Sequence, residues 1–188
     1  MSQDTLITDT IFAALIRCET KAHLIRHGVS GPRLPEDAWH EKTTEQFRQS
    51  ALERLTSNIS ASACHVGLPP LPMLERGVYQ LVVDPEITSS GLRSKPDALL
   101  RASSRHDDPS AIYAPVRFMQ GERPSAADKL LLAFDATVIA SVTGNTPTSG
   151  KLVYGQQLVT TVISLRGHLA KIRPMLVKFV DQLRKKKS

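Results

Sequence analysis

Aromatic side chains are scarce: one Trp, three Tyr and five Phe in 188 residues. A surface that binds through ring stacking has little material here. Hydrophobic residues nevertheless make up 41% of the chain, enough for the core of one compact domain. Cysteine is scarcer still. Cys18 and Cys64 form neither a disulfide framework nor a closed metal set, and a buried free thiol is expected for Cys18, which falls in an amphipathic helical pattern. No apolar run approaches the roughly 20 residues of a membrane span. The opening "MSQDTLITDT" lacks the basic start and apolar middle of a signal peptide, so a cytoplasmic protein without membrane partners is expected. A nucleophile elbow and a phosphate loop are also missing, which removes the common serine hydrolase and nucleotide-triphosphate readings. There is no internal repeat and no low-complexity segment.

What is present is basic. The formal charge is +6 and the pI about 9.5, but four of the positive charges, Arg184 to Lys187, sit in the last residues, "RKKKS". The balance permits nucleic-acid binding without establishing it.

Helical spacing comes first along the chain. "TDTIFAALIRCETKAHLIRHG" predicts one helix capped by Thr8 or Asp9, with Ile11, Leu15, Cys18 and Ala22 on its inner face and Gly28 at its end. "EDAWHEKTTEQFRQSALERLTSN" predicts a second, with Trp39, Phe47, Ala51 and Leu55 as core contacts. The period then changes. "GVYQLVV", "DALLRAS" and "IYAPVRF" read as strands, the last two joined as a hairpin by the polar "RHDDPS". "RPSAADKLLLAFDATVIASVTG" is a helix buried on most sides, "GKLVYG" and "LVTTVISL" are two further strands, and the chain closes in a helix bent at Pro174. Strands, a crossover helix and more strands give an α/β arrangement. The expected organisation is a single domain over 1–188: a helical part (1–76), a core (77–165) and a terminal helix (166–188).

In "IYAPVRF", Tyr113, Pro115 and Arg117 share one face, and Ala114, Val116 and Phe118 the other. Four stretches, "LIRCETKAHLIRHG", "PDALLR", "IYAPVRF" followed by "DKLLLAFDATVIASVTG", and "GKLVYG", resemble in order and spacing the RecB-like nuclease family of the PD-(D/E)XK superfamily. Through it they resemble, more distantly, the CRISPR-associated RecB-like exonucleases. The resemblance implies a restriction-endonuclease-like core: a mixed sheet with antiparallel hairpin strands, flanked by helices. It also implies a DNA-repair setting, DNA as substrate and a superfamily-one helicase as partner.

Such enzymes place an Asp on one strand and an acid-x-lysine on the next, around Mg²⁺ or Mn²⁺ that activates water and neutralises phosphate. Asp97 matches the first acid. The second acid position then falls on Pro115 and the lysine on Arg117. Proline supplies no ligand and no N–H. Arginine keeps the charge, but its planar fork suits phosphate better than water handling. The resemblance also implies a Gln and a Tyr one turn apart on the buried helix, where Asp128, Lys129, Leu132, Ala133 and Phe134 stand instead. Glu75 and Glu53 are the candidate migrated metal ligands. Asp107 and Asp108 lie roughly 23 Å along an extended strand from Pro115. Lys95, Arg101, Arg117 and Lys129 are the candidate nucleic-acid contacts.

Relatives of this type hold a [4Fe–4S] cluster with one cysteine in the first helix and three near the C-terminus. Cys18 fits the first position, but no cysteine follows Cys64, so an incomplete iron–sulfur site is expected. His23 and His27, one turn apart, lack an evident third ligand, and His40 lies outside any glycine-rich motif. The expectation is a nuclease-like domain that binds DNA and is catalytically degenerate. Two alternatives stand beside it. One is an active metal-dependent nuclease with a migrated acid, and the other a structural or protein-interaction module of a helicase–nuclease complex.

Overall fold

The computed structural model describes residues 6–29, 31–32, 34–102 and 111–185, with side chains left aside at 35, 184 and 185. It is a mixed α/β structure with two mixed sheets flanked by helices. The expected hairpin connection, with Asp107 and Asp108, lies outside the described residues, as does the end of "RKKKS". Among the described residues, no helix is long and apolar enough to cross a membrane.

The chain enters through strand β1 (Ile7–Thr8) and turns into α1 (Asp9–Arg17). The Thr8 hydroxyl caps that helix, accepting the Ile11 N–H at 3.2 Å. This leaves the Asp9 carboxylate available for tertiary contacts. Ile11, Phe12, Ala14 and Leu15 form its buried stripe. The single first helix expected from the sequence is in fact two. Cys18 is extended between α1 and α2 (Glu19–Arg26), and its thiol is exposed rather than buried. No glycine or proline marks this break, so local sequence carried no signal for it.

Helix α3 (Pro35–Thr56) starts at a proline, whose missing N–H costs nothing at a helix N-terminus. The Asp37 carboxylate accepts the Leu34 N–H at 2.7 Å. Only the second half of α3 meets the sheet: Ala51 is fully buried, but Trp39, expected in the core, is 65% exposed.

The main sheet has six strands in the order β2-β3-β6-β7-β8-β9. They are β2 (Cys64–Val66), β3 (Leu81–Val83), β6 (Ala98–Ala102), β7 (Ile112–Met119), β8 (Ser149–Tyr154) and β9 (Val159–Ser164). A short helix α4 (Leu71–Glu75) separates β2 from β3. The expected strand from Gly77 shrinks to its last three residues, because Gly77 has φ +63° and the chain turns there. A small sheet, β1-β5-β4, is built on a hairpin of β4 (Ile87–Ser89) and β5 (Leu92–Ser94). Its two-residue turn is Ser90-Gly91, both at positive φ, the twist that suits a tight hairpin.

Helix α5 (Ala126–Thr143) carries the chain from β7 across to β8, so those two strands run parallel. Ser125 and Asp128 form a capping box at its start, and Gly144 at φ +72° ends it. One sheet face, with Leu99, Tyr113, Leu152 and Ile163, joins a core shared with α1, α5 and α6 (Arg166–Lys185). Phe12 stacks on Phe134 within it, ring centroids 4.5 Å apart. The other face packs Leu81, Val83, Ala98, Val116 and Val153 with Ala51.

Pro115 sits inside β7, the fourth strand of six, opposite Leu99 of β6. A central proline is tolerated because of where its missing donor points. The Phe118 N–H faces the β6 side, so by alternation the nitrogen of Pro115 faces β8. Pairing with β8 begins only at Val116. Just there β8 carries Gly150, whose added Cβ would lie 2.7 Å from the Leu132 side chain and 3.0 Å from the Pro115 carbonyl oxygen. Gly150→Ala should therefore destabilise the fold by about 1–3 kcal/mol through overpacking. Leu132→Ala in the same chain should make the added methyl cost much less than it does alone, as read from the urea midpoints of the four proteins.

Candidate functional site

The register Ala98↔Val116 places Asp97, one residue ahead of β6, opposite Arg117. The two residues singled out by the sequence are thus brought together, but their bonds run to different partners. The Asp97 carboxylate accepts the Phe118 N–H at 2.8 Å. It pairs with Arg48 of α3 at 3.2 Å, and Arg48 also holds Asp84 at the end of β3. Asp97 borders a cleft of about 470 Å³ lined by Glu45, Arg48, Asp84, Glu86, Lys95 and the prolines beside them.

Arg117 points into the structure. Its Nε donates to Asp135 Oδ2 at 2.6 Å and its Nη2 to Asp135 Oδ1 at 2.7 Å, a bidentate pair. The same Nη2 donates to Asp9 Oδ2 at 2.9 Å. The fully buried Ser94 hydroxyl donates to Asp135 Oδ1 at 2.6 Å. One guanidinium therefore joins β7 to α1, to α5 and, through Ser94, to β5. Burial works against the Arg117 charge, but Asp135 and Asp9 outweigh it and lift its pKa above the ordinary arginine value. Burial pushes the Asp135 carboxyl upward, against the pull of Arg117 and Ser94.

The other candidates scatter. Glu75, exposed at the end of α4, accepts the Ala111 N–H on its backbone carbonyl. That is the far end of the β6–β7 ladder, six residues or about 20 Å from Arg117. Glu53 is exposed on α3, five residues beyond Arg48, and the helical repeat turns it away from the sheet. Neither can share a ligand shell with Asp97. Among the expected nucleic-acid contacts, Lys95 is held by Glu86 at 2.5 Å, Arg101 donates to the Gly77 carbonyl, and Arg117 is consumed as described. Lys129 lies half-buried in the first turn of α5. Cys18 is exposed at the α1–α2 break, its thiol lowered in pKa chiefly by the Lys21 backbone N–H. His23 and His27 meet edge to face at 4.7 Å, and His40 lies against Trp39.

Among the described residues, no three His, Cys, Asp or Glu side chains converge to hold a metal ion. The donor set does not fit the Mg²⁺ or Mn²⁺ that the resemblance implies. Asp97 already serves an N–H and a guanidinium, and the acid-position residue is a proline. The sequence reading missed Asp135, Ser94 and Arg48 and took Asp9 only as a helix-cap candidate; these are the residues that engage Asp97 and Arg117, Ser94 through Asp135.

No family model matches the chain, and no curated protein matches it. Among solved structures it is similar to that of SSO0001, at 14% identity and a TM-score of 0.49, over 97% of this chain and 78% of that one. At that distance the functional reading rests on the site's own residues.

Two outcomes follow from the geometry. Asp135→Ala leaves a buried guanidinium with one carboxylate and should cost about 3–5 kcal/mol. The Arg117→Met, Asp135→Leu double variant removes the bidentate pair and leaves only the less deeply buried Asp9 carboxylate without its cation, so it should cost less, as read by denaturant unfolding. Asp97 gives a pH signature. Burial raises its pKa, against the Phe118 N–H, Arg117 and Arg48. A carboxyl raised on folding stabilises the fold when protonated. That contribution is complete below its unfolded pKa of about 3.9 and is lost as pH rises through the folded value. Asp97→Asn, which mimics the protonated form, should therefore gain stability over the parent as pH rises from 4 to 7. A gain that shrinks over that range would show the ionised form to be the favoured one.

Proposed function

We propose that the chain is a RecB-like, PD-(D/E)XK nuclease-type domain that associates with nucleic acid but has lost the chemistry of cleavage. The observation that carries this reading is the fate of Arg117. It stands in register with Asp97, where the resemblance puts the catalytic lysine, yet its Nε and Nη2 are spent on Asp135 and Asp9. A cation so held cannot orient an attacking water or follow developing charge on a phosphate. Pro115 at the acid position removes the second ligand.

The cleft itself carries four carboxylates, Glu45, Asp84, Glu86 and Asp97, against Arg48 and Lys95. It repels phosphate rather than gathering it. Nucleic acid would have to be held by exposed cations elsewhere on a chain of net charge +6, with the steep salt dependence of phosphate contacts. One observation favours the protein-interaction reading instead: the first turns of α3 stand clear of the body and present Trp39 to solvent.

The test is a time course on linear duplex and single-stranded DNA with Mg²⁺ and with Mn²⁺, beside Asp97→Ala. No cleavage above background is expected, since each lost catalytic interaction typically costs about 10²–10³ in rate. Cleavage that vanishes in Asp97→Ala would overturn the proposal. DNA binding, read by anisotropy across a salt series, should survive both Asp97→Ala and chelator. No binding even at low salt would leave the domain as a protein-interaction module.

A further inference from the structure

Four strands lie at sheet edges: β1 and β4 in the small sheet, β2 and β9 in the large one. Three of them are only two or three residues long. Short edges give little backbone to pair with, a common guard against edge-to-edge association. Strand β9 is different. It runs six residues, "VTTVIS", with no charge, proline or glycine, and five of the six are β-branched. Among the described residues nothing pairs with its outer side.

The direction of its backbone groups follows from one bond. The Leu165 N–H donates to the Thr148 carbonyl at 2.9 Å, continuing the β8–β9 ladder. Alternation then turns the N–H and C=O groups of Thr160, Val162 and Ser164 away from β8. Their side chains share one sheet face, and all three are exposed, Val162 at 63%.

We propose that β9 pairs antiparallel with β9 of a second copy, about a two-fold axis perpendicular to the sheet at Val162. In this register Val162 faces its own counterpart and Thr160 faces the second copy's Ser164. Every outward N–H and C=O of the three residues finds a partner. Registers centred on neighbouring residues leave some of these groups unpaired, and those of odd offset set outward-facing residues opposite ones whose backbone groups point to β8, so the ladder cannot form. The lane carries no charge, so self-pairing meets no local repulsion. It covers the most exposed apolar side chain of the strand, and matched β-branched pairs are favourable across strands. A two-fold contact of one strand is small, so the dimer should be weak and concentration-dependent.

The test exploits the fact that Val162 would meet itself. Sedimentation velocity on the full chain should show a monomer–dimer equilibrium at micromolar to millimolar concentration. Val162→Glu and Val162→Lys, each alone, set like charges face to face and should weaken association at least about tenfold, equivalent to about 1.4 kcal/mol. An equimolar mixture of the two variants should recover it, because opposite charges then meet on the axis. In the parent, hydrogen exchange at the Thr160, Val162 and Ser164 amides should slow with rising concentration while that at Thr161 and Ile163 does not. That measurement decides the matter without relying on either variant's folding. A parent that stays monomeric at about 1 mM, or dimerises equally in both variants, would overturn the proposal. A mixture that fails to recover would overturn the register, and open-ended growth would overturn the two-fold.

Discussion

A guanidinium removed from water must be matched on several sides at once, and the arrangement around Arg117 is built to do that. The carboxylates come from elements distant in sequence, Asp9 in α1 and Asp135 in α5, and Asp135 is further tied to Ser94 in β5. The small sheet, the first helix, the crossover helix and the central strand are thus held by one polar centre. Such a centre is poor evidence of net stability, because two apolar side chains of similar volume would often do as well. It is good evidence of a fixed arrangement, since any shift of α1 or α5 leaves a charge unmatched in the interior.

The strand carrying Arg117 shows a second adjustment of the same kind. Pro115 could not sit in a fully paired central strand. It sits where the neighbouring ladder has yet to begin, beside a glycine whose missing side chain leaves room for Leu132 and the proline carbonyl. Pro115 and Gly150 are therefore one packing solution, and α5, which supplies Leu132 and Asp135, takes part in both adjustments.

Much of this was legible in the sequence. The change from helical to alternating spacing near residue 77, the strands around Asp97 and Arg117, and the buried crossover helix all follow from periodicity. Asp135 could also have been read: a lone acid in "LLLAFDATVIA" on a helix buried all round needs a cation partner. The Ser90-Gly91 hairpin had its turn dipeptide in plain view. Other features had no local signal. The break at Cys18 and the exposure of Trp39 depend on what those segments meet in space. The candidate acids failed for a related reason: Glu75 and Glu53 are close to the site along the chain order of elements, but strand direction and helical repeat carry both away from it.

In the reading proposed for this chain, the arginine is not a conservative substitute for lysine. Lysine offers a compact, rotatable charge with three donors that can adapt to water and phosphate. Arginine offers a rigid fork that matches a carboxylate with two parallel bonds and still has a donor to spare. Asp135 takes the first and Asp9 the second. A lysine at position 117 could not make the bidentate contact, and Asp135, fully buried, would keep only Ser94 and a single bond. The same geometry that secures α5 and α1 to the sheet thus withdraws the cation from the cleft. Restoring a lysine and an acid at positions 117 and 115 would therefore not recover a water-positioning site by itself. The two inner aspartates would still claim the cation, and the new acid would need space that Gly150 and the carbonyl at 115 now share with Leu132.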